Sequence, residues 1–199
     1  MTAQNRLIVG ITGASGAVYG VRLLDHLKAA GIESHLVLTP AAERAIAYET
    51  PLKIADVAGR AAVHHSYTDI GASIASGSFR TKGMIVAPCS VRTMSEIATG
   101  VTSNLLTRAA DVTLKERRPL VLMVRETPLH LGHLRTMTAL AEIGAIIAPP
   151  LPAFYAHPRS IDEIVDQGVA RVLDLVGIEV PTLRRWGEDL HPSRPPRDG

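Results

Sequence analysis

The residues from Gly10 to Gly16, Gly-Ile-Thr-Gly-Ala-Ser-Gly, follow a short apolar run and precede a helical pattern. A turn of this kind presents backbone N–H groups at a helix N-terminus to a negatively charged ligand. The spacing fits neither G-x-G-x-x-G nor the G-K-[ST] ending of a P-loop. The next apolar run ends at Thr39 rather than at Asp or Glu. That argues against a dinucleotide ribose site and favours a mononucleotide or another phosphate ligand. A tight crossover that needs glycine only for packing accounts for the same residues, so the loop alone leaves both readings open.

Other side chains suit the same chemistry. Ser90, Arg92 and Thr93 follow an apolar run and can donate to a phosphate or a ring carbonyl, although Ser90 also reads as a plain helix N-cap. Lys115, Arg117, Arg118, Arg125 and Arg171 are candidate anion binders; for Arg117 and Arg118 a solvated helix end with cations favoured by the macrodipole is the better account. Arg125 precedes Glu126 at the end of a run, where a charge pair is either a structural ion pair or acid-base machinery. Cys89, beside an apolar run, reads as core filler rather than a nucleophile. His130 and His133 stand three apart, yet no third ligand lies at a motif-like offset, and His64-His65 falls in an irregular stretch. There is no Asp-Asp-x-x-Asp cluster of the sort that holds magnesium against a prenyl diphosphate. Tyr155 sits in a Pro-rich loop, where core filling is a weak explanation for an aromatic.

These residues need a scaffold, and the chain is long enough to supply one. It has 199 residues, 46% hydrophobic and 20% charged, a globular balance. A net charge of +2 gives no field for nucleic acid or anionic lipid. One cysteine excludes an intramolecular disulfide, and the cytoplasm is the expected compartment. The uncharged stretch Leu7 to Val21 is too polar and glycine-rich to span a membrane. Arg6 ahead of it has a signal-peptide flavour, but the glycine spacing is better explained by the turn.

Apolar periodicity predicts strands at Leu7–Ile11, Ile32–Leu38, Gly83–Ala87, Leu120–Val124 and Ala145–Ala148. It predicts helices at Val18–Ala30, from Pro40 to about Thr50, and at Val91–Ala98, Leu105–Arg117, Leu129–Ile143 and Ile161–Val176. Residues 59–82 read as irregular. Alternating strands and helices indicate an α/β fold with a parallel sheet and helices on both faces, one domain over 1–190 and a Pro/Arg-rich tail at 191–199. In such a sheet ligands sit beyond the carboxyl ends of the strands, so Gly13–Gly16, Thr39, Ser90–Thr93 and Arg125–Thr127 should converge.

Longer motifs narrow this further. Gly10-Ile11-Thr12-Gly13-Ala14-Ser15-Gly16-Ala17, Ala75-Ser76-Gly77-Ser78-Phe79, Ala87-Pro88-Cys89-Ser90, Leu106-Thr107-Arg108-Ala109-Ala110-Asp111, Leu114-Lys115-Glu116-Arg117-Arg118-Pro119-Leu120, Val124-Arg125-Glu126-Thr127-Pro128-Leu129 and Pro150-Leu151-Pro152-Ala153-Phe154-Tyr155 occur in that order. Together they resemble the UbiX-like flavin prenyltransferases, from about Leu7 to Trp186. The resemblance implies a flavodoxin-like or Rossmann-like fold assembled as a homododecamer. It implies metal-independent transfer of a dimethylallyl group from dimethylallyl monophosphate to reduced FMN, at N5 and then C6. The product is prenylated FMN for a partner UbiD-like decarboxylase, in pathways such as ubiquinone synthesis, rather than decarboxylation by the chain itself.

By motif position, the resemblance assigns FMN contacts to Gly13, Ala14, Ser15, Thr39, Ser90, Val91, Arg92, Thr93 and Arg125. It assigns the substrate phosphate to Lys115, Tyr155, Arg171 and Arg125, within one subunit or across neighbouring ones, and acid-base work to Glu126; Trp186 would close the pocket. Thr39 stands where members carry Ser, and Arg92 where some carry Lys; both keep the hydroxyl or the cation. Two rivals are a flavin-dependent cysteine decarboxylase, whose Pro-Ala-Ser-Ala-Asn-type segment is replaced here by Pro88-Cys89-Ser90-Val91-Arg92, and a non-catalytic flavin carrier, in which Lys115 and Arg171 would be idle.

Overall fold

Aliphatic residues run without alternation through Leu7–Ile11, Met84–Val86 and Leu120–Val124, and apart from Gly10 each of them is buried hydrophobic core. That pattern belongs to strands covered on both faces. In a computed structural model that describes residues 5–189, the order is β1 (Arg6–Ile11), α1 (Ala17–Ala29), β2 (Glu33–Leu38), α2 (Pro40–Glu49), α3 (Ile54–Ala58), β3 (Val63–His65), β4 (Met84–Cys89), α4 (Val91–Ala98), α5 (Leu105–Lys115), β5 (Leu120–Val124), α6 (Leu131–Glu142), β6 (Ala145–Ile147) and α7 (Ile161–Leu175). The strands form one parallel sheet in the order β3-β2-β1-β4-β5-β6. The tail expected at 191–199 lies outside the described residues.

Alternate residues of each strand face opposite layers. Leu7, Val9, Ile11, Ile85 and Val121 pack with α1, α2 and α7. Ile8, Met84, Val86, Leu120 and Leu122 pack with α4 and α5 on the other side. Gly20 lets α1 settle onto the sheet, because a Cβ there would run into the Ala87 carbonyl and the Ile11 side chain. Two arms join α1 to α7: Arg22 donates to both Asp166 oxygens at 2.8 and 2.7 Å, and His26 Nε2 lies 3.1 Å from Oδ1.

The Arg22 guanidinium, with help from His26, holds the Asp166 carboxyl below the usual aspartate range against the opposing pull of partial burial. A depressed carboxylate contributes stability that is present above its unfolded-state pKa and lost as pH falls through its folded one. Asp166→Asn is therefore expected to lower the Tm by about 2–4 °C at neutral pH. The gap to the unaltered chain should close as the solution is acidified below the usual aspartate range. Thermal unfolding at stepped pH checks this, and a gap that persists in acid contradicts it.

Three elements differ from the sequence reading. Residues 59–82 are not wholly irregular, since Val63–His65 adds an edge strand to β2. Its His65 Nε2 meets the buried His35 Nδ1 at 2.9 Å, and His35 Nε2 lies 3.0 Å from a Glu33 oxygen, so polar side chains secure a strand that hydropathy does not reveal. The short helix α3 was missed as well. Helix α5 stops at Lys115 because Arg117 adopts a left-handed φ of 55°. The Arg118 N–H then donates to the Thr113 carbonyl and the Arg117 N–H to that of Leu114, both at 2.9 Å, a Schellman closure.

Candidate active site

The sheet's connections run outward from β1 in one direction and from β4 in the other, which leaves a crevice between the carboxyl ends of these two strands. Backbone bonds lace the loops around it. Thr39 N–H donates to the Ile11 carbonyl at 3.1 Å, Thr12 N–H to that of Pro88 at 3.3 Å, and Arg125 N–H to that of Cys89 at 3.1 Å. The result is a concavity of about 370 Å³. Gly13, Ala14 and Ser15 line it from the first loop, Ser90, Val91 and Arg92 from the β4–α4 junction, and Arg125 and Glu126 from the end of β5. Of the sequence candidates at strand ends, these eight meet in one place. A larger hollow of about 450 Å³, lined by Lys28, Glu33 and Arg60 among others, lies at the amino end of β2, away from these loops.

The first loop is only partly free. Gly16, with φ 106°, is the N-cap of α1 and has no side chain to offer. Glu49 from α2 supplies the missing acceptor, its Oε2 taking both the Gly16 and Ala17 N–H bonds at 2.9 Å. A protein carboxylate thus occupies the helix N-terminus, and Gly13–Ser15 is the stretch left facing the concavity. Sequence reading missed Glu49, which lies 33 residues from Gly16. It also missed Ala41, which lines the concavity and presses on Gly13 so closely that a Cβ there would collide with it.

The capping alternative for Ser90 holds. Its Oγ accepts from Thr93 N–H at 3.3 Å, just as the Thr39 hydroxyl accepts from Ala42 N–H at 3.0 Å. Thr39 and Thr93 are buried behind the lining rather than part of it. Arg92 is largely exposed, with Nε 2.9 Å from a Glu96 oxygen. Arg125 and Glu126 make no ion pair with each other within 4.0 Å. Glu126 is half-buried and accepts a bond from Thr127 N–H at 2.9 Å. Cys89 is fully buried, which pushes its thiol up to about 12, as suits core filler.

Three expected phosphate ligands do not join this group within one subunit. Lys115 ends α5 at the amino edge of the sheet, 2.7 Å from Glu116 Oε1. Strand β5 separates it from Arg125, and five residues of strand span about 16 Å. Tyr155 sits in a short 3₁₀ turn, its ring edge-on to Trp186 with centroids 5.6 Å apart. Arg171 on α7 is 2.7 Å from Asp174, which also binds Arg185. Arg185 and Trp186 are consecutive, so Tyr155 and Arg171 flank one C-terminal segment. Neither lines the concavity.

A family model for flavoproteins matches residues 1–173. A flavin prenyltransferase UbiX of Thauera aromatica is 56% identical over 181 residues, 91% of this chain and 93% of its own length. The chain belongs to the UbiX-like flavin prenyltransferases. Two solved structures carry the likeness into three dimensions. AnUbiX, in complex with FMN and dimethylallyl pyrophosphate, superimposes with a TM-score of 0.90 at 45% identity, covering 92% of this chain and 97% of that one. A dodecameric FMN-dependent Ubix-like decarboxylase from Escherichia coli O157:H7 does so with a TM-score of 0.88 at 51% identity, covering 91% and 98%. Membership in the flavin prenyltransferases decides against the cysteine decarboxylase and the passive carrier.

Proposed function

We propose that this flavin prenyltransferase moves a dimethylallyl group from dimethylallyl monophosphate to reduced FMN, releasing prenylated FMN to a prenylated-FMN-dependent decarboxylase. The observation that carries the reading is the single concavity shared by Gly13–Ser15, Ser90–Arg92 and Arg125–Glu126 at the switch point of the sheet. The lining fits FMN: free N–H groups and Ser15 at one wall, the Arg92 and Arg125 cations at another, and the apolar surfaces of Ala14, Ala41 and Val91 between them. Thr39 and Thr93 support this lining from behind.

Bound reduced FMN supplies two nucleophilic atoms, N5 and then C6. The chain's residues handle everything else. The allylic C–O bond breaks with its electron pair leaving on phosphate, and Lys115, Arg125, Arg171 and the Tyr155 hydroxyl bind that oxyanion in place of a metal ion. Closing the ring at C6 would need a proton delivered to the allyl C=C, giving the tertiary carbon that C6 attacks, and a proton taken from C6; Glu126 would move it, with the retained phosphate as the other proton carrier.

Lys115, Tyr155 and Arg171 reach the phosphate from neighbouring copies in a homo-oligomer, a dodecamer like that of the E. coli relative. Helix α6 supports this, because Leu131 and Leu134 are 60% and 47% exposed and Leu140 is its one fully buried side chain. The proposed compartment is the cytoplasm; no helix among the described residues is long and apolar enough to cross a membrane.

Anaerobic incubation with reduced FMN and dimethylallyl monophosphate should yield a flavin heavier by one five-carbon unit in mass spectrometry. Unchanged flavin mass overturns the proposal. Tyr155→Phe is expected to raise KM for the prenyl phosphate about fivefold while FMN affinity stays within twofold. Steady-state kinetics beside a flavin titration checks it, and equal weakening of both counts against a phosphate role.

A further inference from the structure

Between the two walls of the concavity stands a residue that does not line it. Thr12 is fully buried, at 0% exposure, just past the end of β1. The β1–β4 ladder stops at the Gly10–Val86 pair. Strand β4 then bulges, since its pairing with β5 jumps from Val86–Leu122 to Cys89–Val124, three residues against two. The Pro88 carbonyl falls inside that bulge. The Ser90 N–H belongs to the N-cap of α4 and has no place in the helix's own bonding. Thr12 meets both groups: its Oγ1 donates to the Pro88 carbonyl at 2.8 Å and accepts from Ser90 N–H at 2.7 Å.

We propose that Thr12 is a positioning residue for the flavin pocket, its hydroxyl fixing the distance between the Gly13–Ser15 wall and the Ser90–Arg92 wall. The proposal rests on the reading that the concavity takes FMN. Past the last β1–β4 residue pair the Thr12 N–H still reaches the Pro88 carbonyl at 3.3 Å, and the hydroxyl adds a shorter bond to that carbonyl and carries the connection on to Ser90. Because it is both donor and acceptor, a side chain of the same shape without oxygen leaves the Ser90 N–H unmet and the buried Pro88 carbonyl with only the longer bond from the Thr12 N–H, and the junction gives way at the floor of the pocket. Substrate phosphate binding, which uses other residues, is untouched.

The test compares Thr12→Val, which keeps the shape, with Thr12→Ser, which keeps the hydroxyl. Three quantities are measured in the full-length chain: Kd for FMN by fluorescence titration, KM for dimethylallyl monophosphate at saturating FMN, and Tm. The valine variant is expected to weaken FMN about tenfold. KM for the prenyl phosphate should remain within twofold, and serine should restore FMN affinity to within twofold. Unchanged FMN affinity in the valine variant, or a serine variant as impaired as valine, overturns the proposal; a parallel rise in KM reduces Thr12 to general stability and overturns it as well. Should the valine variant fail to fold, Thr12→Ala removes the hydroxyl without setting a methyl against the Pro88 carbonyl, and normal FMN affinity in that variant is equally fatal. Failure of the unaltered chain to bind FMN would instead sink the reading beneath the proposal.

Discussion

Glu126→Gln is expected to slow formation of the prenylated flavin about 100-fold or more while leaving FMN affinity within twofold. Glu126 stands two residues past β5, half-buried in the wall of the concavity, with its one short bond to the Thr127 N–H. Glutamine keeps that acceptor, the length and the shape; what it lacks is a basic oxygen able to take a proton. The loss should therefore fall on the chemical step. Anaerobic single-turnover absorbance, with FMN titration alongside, separates the two quantities. Flavin missing from the purified variant, or turnover at the normal rate, removes Glu126 from the acid-base role.

The second large effect concerns how the site is completed. Lys115→Ala and Arg125→Ala are each expected to lose activity about 100-fold or more, since each removes one of the cations proposed to bind the departing phosphate. In one subunit β5 lies between the two residues, at whose far ends they stand. If different copies supply them, randomly mixed oligomers of the two variants rebuild about a quarter of the sites, because each intact site needs one particular copy of each kind. Co-expression with two affinity tags, followed by activity of the doubly purified assembly, measures this. Mixed assemblies as inactive as either parent overturn the shared-site proposal.

How much of this was legible in the sequence depends on distance along the chain. The buried strands were plain, because aliphatic runs such as Leu120–Val124 carry their burial in their composition. Thr39-Pro40 and Ser90 announced their helix starts through local capping chemistry. Gly13–Ser15, Ser90–Arg92 and Arg125–Glu126 could be predicted to meet because any open parallel sheet gathers its carboxyl-end loops. Edge strand β3 was hidden because what secures it is a contact between His35 and His65, 30 residues apart. Glu49 on the α1 terminus and Thr12 across the β4 bulge were hidden for the same reason: each acts on a backbone group that no local pattern identifies. The scattered places of Lys115, Tyr155 and Arg171 lie beyond any local pattern, since a motif gives a residue's role in a family and not its place in the fold.

The burial of Cys89 bears on survival in air. Reduced flavins hand electrons to dioxygen and generate peroxide, so a protein that works on them is exposed to an oxidant of its own making. Peroxide attacks the thiolate, and the single sulfhydryl of this chain is kept protonated and walled off by Ile8, Val86, Leu122 and their neighbours. Neither sulfenic acid nor a covalent bridge to another thiol has a ready route here, and the protein should tolerate aerobic handling without added reductant.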